Sequence, residues 1–146
     1  MIGYLDTSAL LPLIVEEPGS ERAGRVWDAA EHVVSVRLIY AEARAALAQA
    51  ARIGRLSAAE LPGAVATLDD LYEQLALVEV DDVLVRRAGE LAQLHALHGC
   101  DAVHLAAAER VGDDETVLVA GDRELLAAAA TLGLALADTS GHMLDQ

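Results

Sequence analysis

Residues 2–11 read IGYLDTSALL, an apolar run that reaches Asp6, passes the hydroxyls of Thr7 and Ser8, and turns apolar again. Ile2 to Leu5 is too continuously apolar for a half-solvated strand, which predicts a central strand of a parallel sheet buried on both faces. An acid directly after such a strand needs a reason. A helix is expected to start here and Asp is a favoured N-cap, so capping alone accounts for one aspartate in this place.

Strands and helices go on alternating along the chain. Ser20 to Ala30 reads as a helix after Pro18-Gly19, and His32 to Val36 as a second strand. Leu38 to Arg52 is rich in Ala and Arg, lacks Gly and Pro, and predicts a long helix stopped by Gly54. Ser57 and Glu60 match a capping box ahead of Leu61, Val65, Leu68, Leu71 and Leu75 at helical spacing, so two long helices form a hairpin across IGRLS. Leu77 to Val80 predicts a third strand, and Asp81-Asp82 opens a helix to about Leu97. A break at His98-Gly99 precedes a helix from Asp101. Thr116 to Ala120, TVLVA, is a fourth strand, Glu124 to Leu132 a last helix, and Leu134 to Leu136 a fifth strand. The expected fold class is α/β, a sandwich with a mostly parallel sheet of about five strands covered by helices on both faces.

Composition narrows the function classes. A chain of 146 residues with 54% hydrophobic content fits one domain, read here as 1–146, with a real core. No apolar run approaches the roughly 20 residues that span a bilayer, and the N-terminus lacks a signal-peptide pattern, so a cytoplasmic location and no membrane partner are expected. The single cysteine, Cys100, excludes an internal disulfide and a Cys-rich zinc framework. Ten arginines and no lysine stand against twenty-four acids, a net charge of −14 that repels nucleic acid globally and attracts basic partners or cations. Aromatics are 3% with no Phe, which argues against base-stacking platforms.

Four acids stand out from the surface charge. Open parallel sheets bind ligands beyond the carboxyl ends of their strands, and Asp6 and Asp122 each follow a strand there. Taken singly, either is accounted for as a cap, as is Asp81, which nothing else marks. Glu42 is more informative. Its face neighbours on the helix, Leu38, Ile39, Ala45 and Ala46, are all apolar, so its carboxylate faces the protein, where an unpaired charge is costly. Arg44 faces elsewhere; a cation or a distant arginine has to meet Glu42. Asp101 opens a helix whose next turn is small or apolar except for His104, which reads either as a hydrogen-bonding partner of a ligand or carboxylate or as a satisfied, partly buried histidine. Four carboxylates in one cleft would repel one another, and divalent cations resolve that conflict. Oxygen donors without His or Cys spacing suit Mg²⁺ or Mn²⁺, ions that hold phosphates and activate water in nucleases.

At this point four blocks carry a resemblance. YLDTSAL (4–10), YAEARAAL (40–47), CDAVHLAAA (100–108) and VAGDRELLAAA (119–129) resemble the blocks of PIN-domain ribonucleases, and the chain is most similar to VapC-like toxins of type II toxin–antitoxin pairs. The resemblance implies a PIN-like three-layer sandwich whose Asp6, Glu42, Asp101 and Asp122 form an acidic site. There Mg²⁺ or Mn²⁺ would serve the hydrolysis of RNA phosphodiester bonds, with Thr7 or Ser8 in support. It further implies a homodimer and a cognate basic antitoxin that blocks the cleft. One departure matters: the family commonly carries Ser or Thr two positions before the last acid, and here Ala120 stands there, which removes a hydroxyl ligand beside Asp122.

Arg37, Arg44, Arg52, Arg55, Arg86, Arg87 and Arg123 are candidates to line a path for an RNA backbone, or are simply scattered surface charges. An acidic nuclease is expected to recognise folded RNA or a short loop. The rivals are a phosphoacceptor receiver domain, which would want a lysine, a haloacid-dehalogenase-type phosphatase, which would place an aspartate where Ser8 stands, and a catalytically silent PIN scaffold that only binds a protein partner.

Overall fold

A computed structural model describes residues 1–112 and 114–140. Its sheet has five strands, β1 (Ile2–Leu5), β2 (His32–Val36), β3 (Ala76–Val78), β4 (Thr116–Ala120) and β5 (Ala135–Asp138), in the order β3-β2-β1-β4-β5. Every pairing is parallel. The chain therefore builds one half of the sheet outward from β1, returns, and builds the other half outward from β4. That reversal puts a topological switch point between β1 and β4, where a crevice opens beyond the strand ends.

The helices are α1 (Thr7–Leu10), continued by a 3₁₀ turn at Leu11–Leu13, then α2 (Ser20–Ala29), α3 (Ile39–Arg52), α4 (Leu61–Gln74), α5 (Asp82–His95), α6 (Gly99–Val111) and α7 (Arg123–Thr131). Strand alternation sorts the core between the two faces. Tyr4, Val34, Val36 and Leu118 pack against α5, α6 and α7, whereas Leu5 and Val119 pack with α1, α3 and α4. The three-layer α/β sandwich and the α3–α4 hairpin agree with the sequence reading. Among the described residues no helix is long and apolar enough to cross a membrane.

Boundaries shift for identifiable reasons. β3 ends at Val78, two residues before the expected Val80, because its last ladder partner is Val36, where β2 stops. β5 runs two residues past the expected Leu136, to Asp138, which pairs with Ala120. The capping box forms as read: Glu60 Oε1 accepts from the Ser57 amide at 2.8 Å, and Ser57 Oγ from the Glu60 amide at 3.1 Å. It closes a turn ahead of α4, whose start is pinned by Pro62 in the first helical turn. Gly54, with φ +82°, ends α3 in the left-handed conformation that glycine adopts without penalty. α6 begins at Gly99, so Asp101 is the third residue of the helix and not its cap; His98 stands at the N-cap position without a side-chain capping bond.

Candidate active site

Asp6 follows β1 directly and is 3% exposed. It caps α1, Oδ1 accepting from the Ala9 amide at 3.1 Å. The Ser8 hydroxyl lies 2.7 and 2.9 Å from the two Asp6 oxygens, and Ser8 Oγ itself accepts from the Gly121 amide at 2.7 Å. One hydroxyl thus ties the end of β1 to the turn after β4. Asp122, on that turn, caps α7 through Oδ1, which accepts from the Glu124 and Leu125 amides at 2.9 and 3.2 Å. Both strand-end aspartates are caps, as the local sequence allows, and both stand at the switch point.

Glu42 projects from the first turn of α3, half-buried. Thr7 Oγ1 donates to its Oε1 at 3.0 Å, and His104 Nε2 lies 2.6 Å from the same oxygen. Among the described residues no distant arginine meets it. Arg44 turns away, stacking its guanidinium 5.7 Å over the Tyr40 ring and donating to the Tyr40 hydroxyl. His104, on α6, is 1% exposed, and its Nδ1 lies 2.9 Å from the Tyr4 hydroxyl. The histidine is therefore fully buried and bonded to a carboxylate, both readings of it in one. Asp101, one turn earlier on α6, is half-buried near the same crevice.

The carboxylates feel one another. Burial pushes the Asp6 carboxyl up to about 6 and the charge of Asp122 adds to the rise, against the opposing pull of His104, Ser8 and the Ala9 amide. Burial also raises Asp101, helped by the charges of Asp122 and Glu42. For Glu42 burial acts upward, but the hydrogen bond and charge of His104, with bonds from Thr7 and Cys100, outweigh it and hold the carboxyl below its ordinary value. The Cys100 thiol is raised by burial, by the charge of Glu42 and by its bond to that carboxylate, so it stays protonated. Among the described residues no arginine forms an ion pair with any of the four acids.

The donor set is carboxylate oxygen. Among the described residues no three His, Cys, Asp or Glu side chains close around a single point as a ready-made chelate. Such a set fits a hard cation that keeps several of its waters and takes one or two carboxylates directly, the habit of Mg²⁺. Beside the acids opens a cleft of about 360 Å³, lined by Thr7, Ser8, Gly19, Gly121, Thr139 and others.

The sequence reading missed Tyr4 as the partner of His104, although a lone tyrosine in an otherwise aliphatic strand was a signal. Ser8 was expected only in support; in the structure its hydroxyl reaches the β4–α7 turn, next to Ala120, where a hydroxyl was found wanting. Of the arginines proposed to line a path, Arg37, Arg55, Arg86 and Arg87 are paired with Glu79, Glu17, Asp82 and Glu90/Glu109. Arg44 and Arg52 lie eight residues apart on α3, bonded to Tyr40 and Gln49, and Arg123 adjoins Asp122.

Comparison with known proteins agrees with this architecture. The PIN domain family matches residues 3–132. Ribonuclease VapC45 of Mycobacterium tuberculosis is 42% identical over 134 residues, 92% of this chain and 93% of the relative. The crystal structure of PAE2754 from Pyrobaculum aerophilum superimposes with a TM-score of 0.71 at 26% identity, covering 96% of this chain and 85% of the other. A toxin–antitoxin complex from Klebsiella pneumoniae shares the fold, with a TM-score of 0.65 at 14% identity over 94% and 97% of the two chains. On this family match and this identity, the chain belongs to the PIN-domain family, within its VapC branch.

Proposed function

We propose that residues 1–146 form one nuclease domain, a divalent-metal-dependent endoribonuclease acting as the toxin of a toxin–antitoxin pair. The observation that carries the reading is the buried Asp6 carboxyl at a strand end, raised to about 6 and facing the charge of Asp122, with no arginine paired to it among the described residues. A fold that merely needed a helix cap would not bury that charge against Asp122; a site that takes a cation would. The ribonuclease name of a relative 42% identical over nearly the whole chain supports the same activity.

Asp6, Asp101, Asp122 and Glu42 would hold Mg²⁺ or Mn²⁺, which supplies charge for the phosphate and an activated water when bound. The protein's part is orientation. Ser8 holds the Asp6 carboxylate, and the two amides at the start of α7 hold Asp122 through one oxygen. Thr7 and His104 hold Glu42 through Oε1. The adjoining cleft, beside Thr7, Ser8 and Gly121, is where part of the RNA would sit. The VapC relationship supports a cognate antitoxin, and an acidic chain with a carboxylate crevice favours a basic one. Assembly as a homodimer belongs to the same proposal.

The test is cleavage of a structured RNA with Mg²⁺ or Mn²⁺, expected to stop on adding EDTA and in Asp6→Ala and Asp101→Ala proteins. Cleavage at the unaltered rate by either variant overturns the assignment.

A further inference from the structure

We propose that His104, oriented by Tyr4, is a positioning residue: it donates from Nε2 into Glu42 and fixes the direction in which that carboxylate is offered to the cation. The proposal rests on the nuclease reading above and deepens it, carrying the hold on Glu42 back through His104 to Tyr4 in the central strand.

The geometry determines which ring nitrogen carries hydrogen. Glu42 as a carboxylate only accepts, so the contact of 2.6 Å requires hydrogen on His104 Nε2. The other nitrogen lies 2.9 Å from the Tyr4 hydroxyl, which donates to it when the ring is neutral and accepts from it when the ring is charged. Tyr4 is held in β1, the central strand, with 0% exposure, and His104 in α6 with 1%. The rings meet edge to face, 77° apart with centroids 5.9 Å from each other, which further restricts the imidazole. Glu42 Oε1 receives Thr7 from α1 and His104 from α6 together, so the side chain is pinned between two elements on opposite faces of the sheet. A long glutamate on the third helix would otherwise sample several rotamers. Partners that orient a metal-binding group in this way are worth about 10- to 100-fold in affinity or activity.

The experiments separate this role from the nuclease reading. Long-range ¹H–¹⁵N correlation NMR of the metal-free protein, which needs no cleavage, is expected to show hydrogen on His104 Nε2; hydrogen on Nδ1 alone overturns the proposal. Mn²⁺ affinity, read from the EPR signal of the free ion, is expected to fall about 10- to 100-fold in His104→Leu and to stay within about 3-fold of wild type in His104→Gln, whose amide nitrogen can replace Nε2. Equal affinities in His104→Leu and wild type overturn it. In a Glu42→Gln background His104→Leu is expected to cost nothing more; a loss as large as in the wild type shows another route and also overturns it. Cleavage should lose kcat with KM for the RNA unchanged, and a KM effect alone counts against the proposal. Should His104→Leu not fold, Tyr4→Phe conserves the packing and removes only the hydroxyl. It is expected to reduce both the Nε2–H population and Mn²⁺ affinity, and no change in either overturns the idea. A wild-type protein that cuts no RNA defeats the nuclease reading alone, while the NMR and Mn²⁺ results still decide this one.

Discussion

Asp6 and Asp81 are one residue type in one local setting, after a strand and at the head of a helix, each accepting from the backbone amide three residues on. They end in opposite electrostatic states. Asp81 is exposed and bonded by both terminal nitrogens of Arg110 at 3.0 and 3.1 Å, and this bond with the Leu84 amide holds its carboxyl below the ordinary value. Asp6 is buried, has a serine in place of an arginine, and rises to about 6. Arg87 clamps Glu109 on the same α5–α6 surface, so that region pairs its acids where the crevice leaves them to repel. The difference teaches that capping is local and charge balance is tertiary: the same cap is met by an arginine on the α5–α6 surface and by a serine at the crevice.

The largest expected effect breaks the two regions apart by function. Asp6→Ala is expected to lower RNA cleavage by at least about 100-fold, the scale of losing a preorganised charge at a reacting centre. Asp81→Ala, measured in the same assay, should leave it unchanged. Equal losses in both would reduce the crevice to another surface.

Stability should move the other way. In metal-free protein a neutral residue at position 6 relieves a raised carboxyl. A rise from 3.8 to about 6 corresponds to about 3 kcal/mol, less what the lost acceptor costs Ala9 and Ser8. Asp6→Asn is therefore expected to raise the Tm in EDTA at pH 7.5, whereas Asp81→Asn lowers it. Denaturant melts of the two variants check the sign, and a destabilised Asp6→Asn protein would mean that the crevice is already balanced.

Ser8→Ala follows in size. It leaves the Gly121 amide without its acceptor and Asp6 without its side-chain donor, a cost of about 1–3 kcal/mol for buried polar groups. Ser20→Ala, which removes a hydroxyl bonded near the surface, provides the contrast in the same melts.

The smallest effect concerns acid pH. Asp81 and Glu109 are held low by their arginines, so their contribution is present above the ordinary carboxylate range and fades as pH falls through it. Arg87→Ala and Arg110→Ala should each cost at most about 3 °C in Tm at neutral pH, and less as pH falls through the lowered folded-state values of Asp81 and Glu109. A Tm difference that did not shrink on acidification would show that the arginines act by packing instead.

The order of strands and helices was legible because the buried strands are apolar runs and the helices carry their own stops, such as Gly54. What escaped was tertiary. β3 is shorter and β5 longer than their residues suggest, because Val36 and Ala120 set how far a partner can follow. Glu42 was legible as an acid on an apolar stripe, yet its partners Thr7 and His104 come from 35 and 62 residues away, separations on which helical periodicity is silent. Asp101 read as the start of its helix because His98-Gly99 looked like a break; the helix takes Gly99 and Cys100 into its first turn.

The pairing of β1 with β4 also has a consequence in time. Ile2 sits opposite Thr116 and Leu5 opposite Val119, so the first strand made has to wait for one of the last. Such distant pairing is slow to form. A nascent chain carries Asp6 and Glu42 long before it carries Asp122 and the β4 end that closes the crevice. The strand order thus acts as a delay, leaving the crevice between β1 and β4 unassembled until β4 has been made.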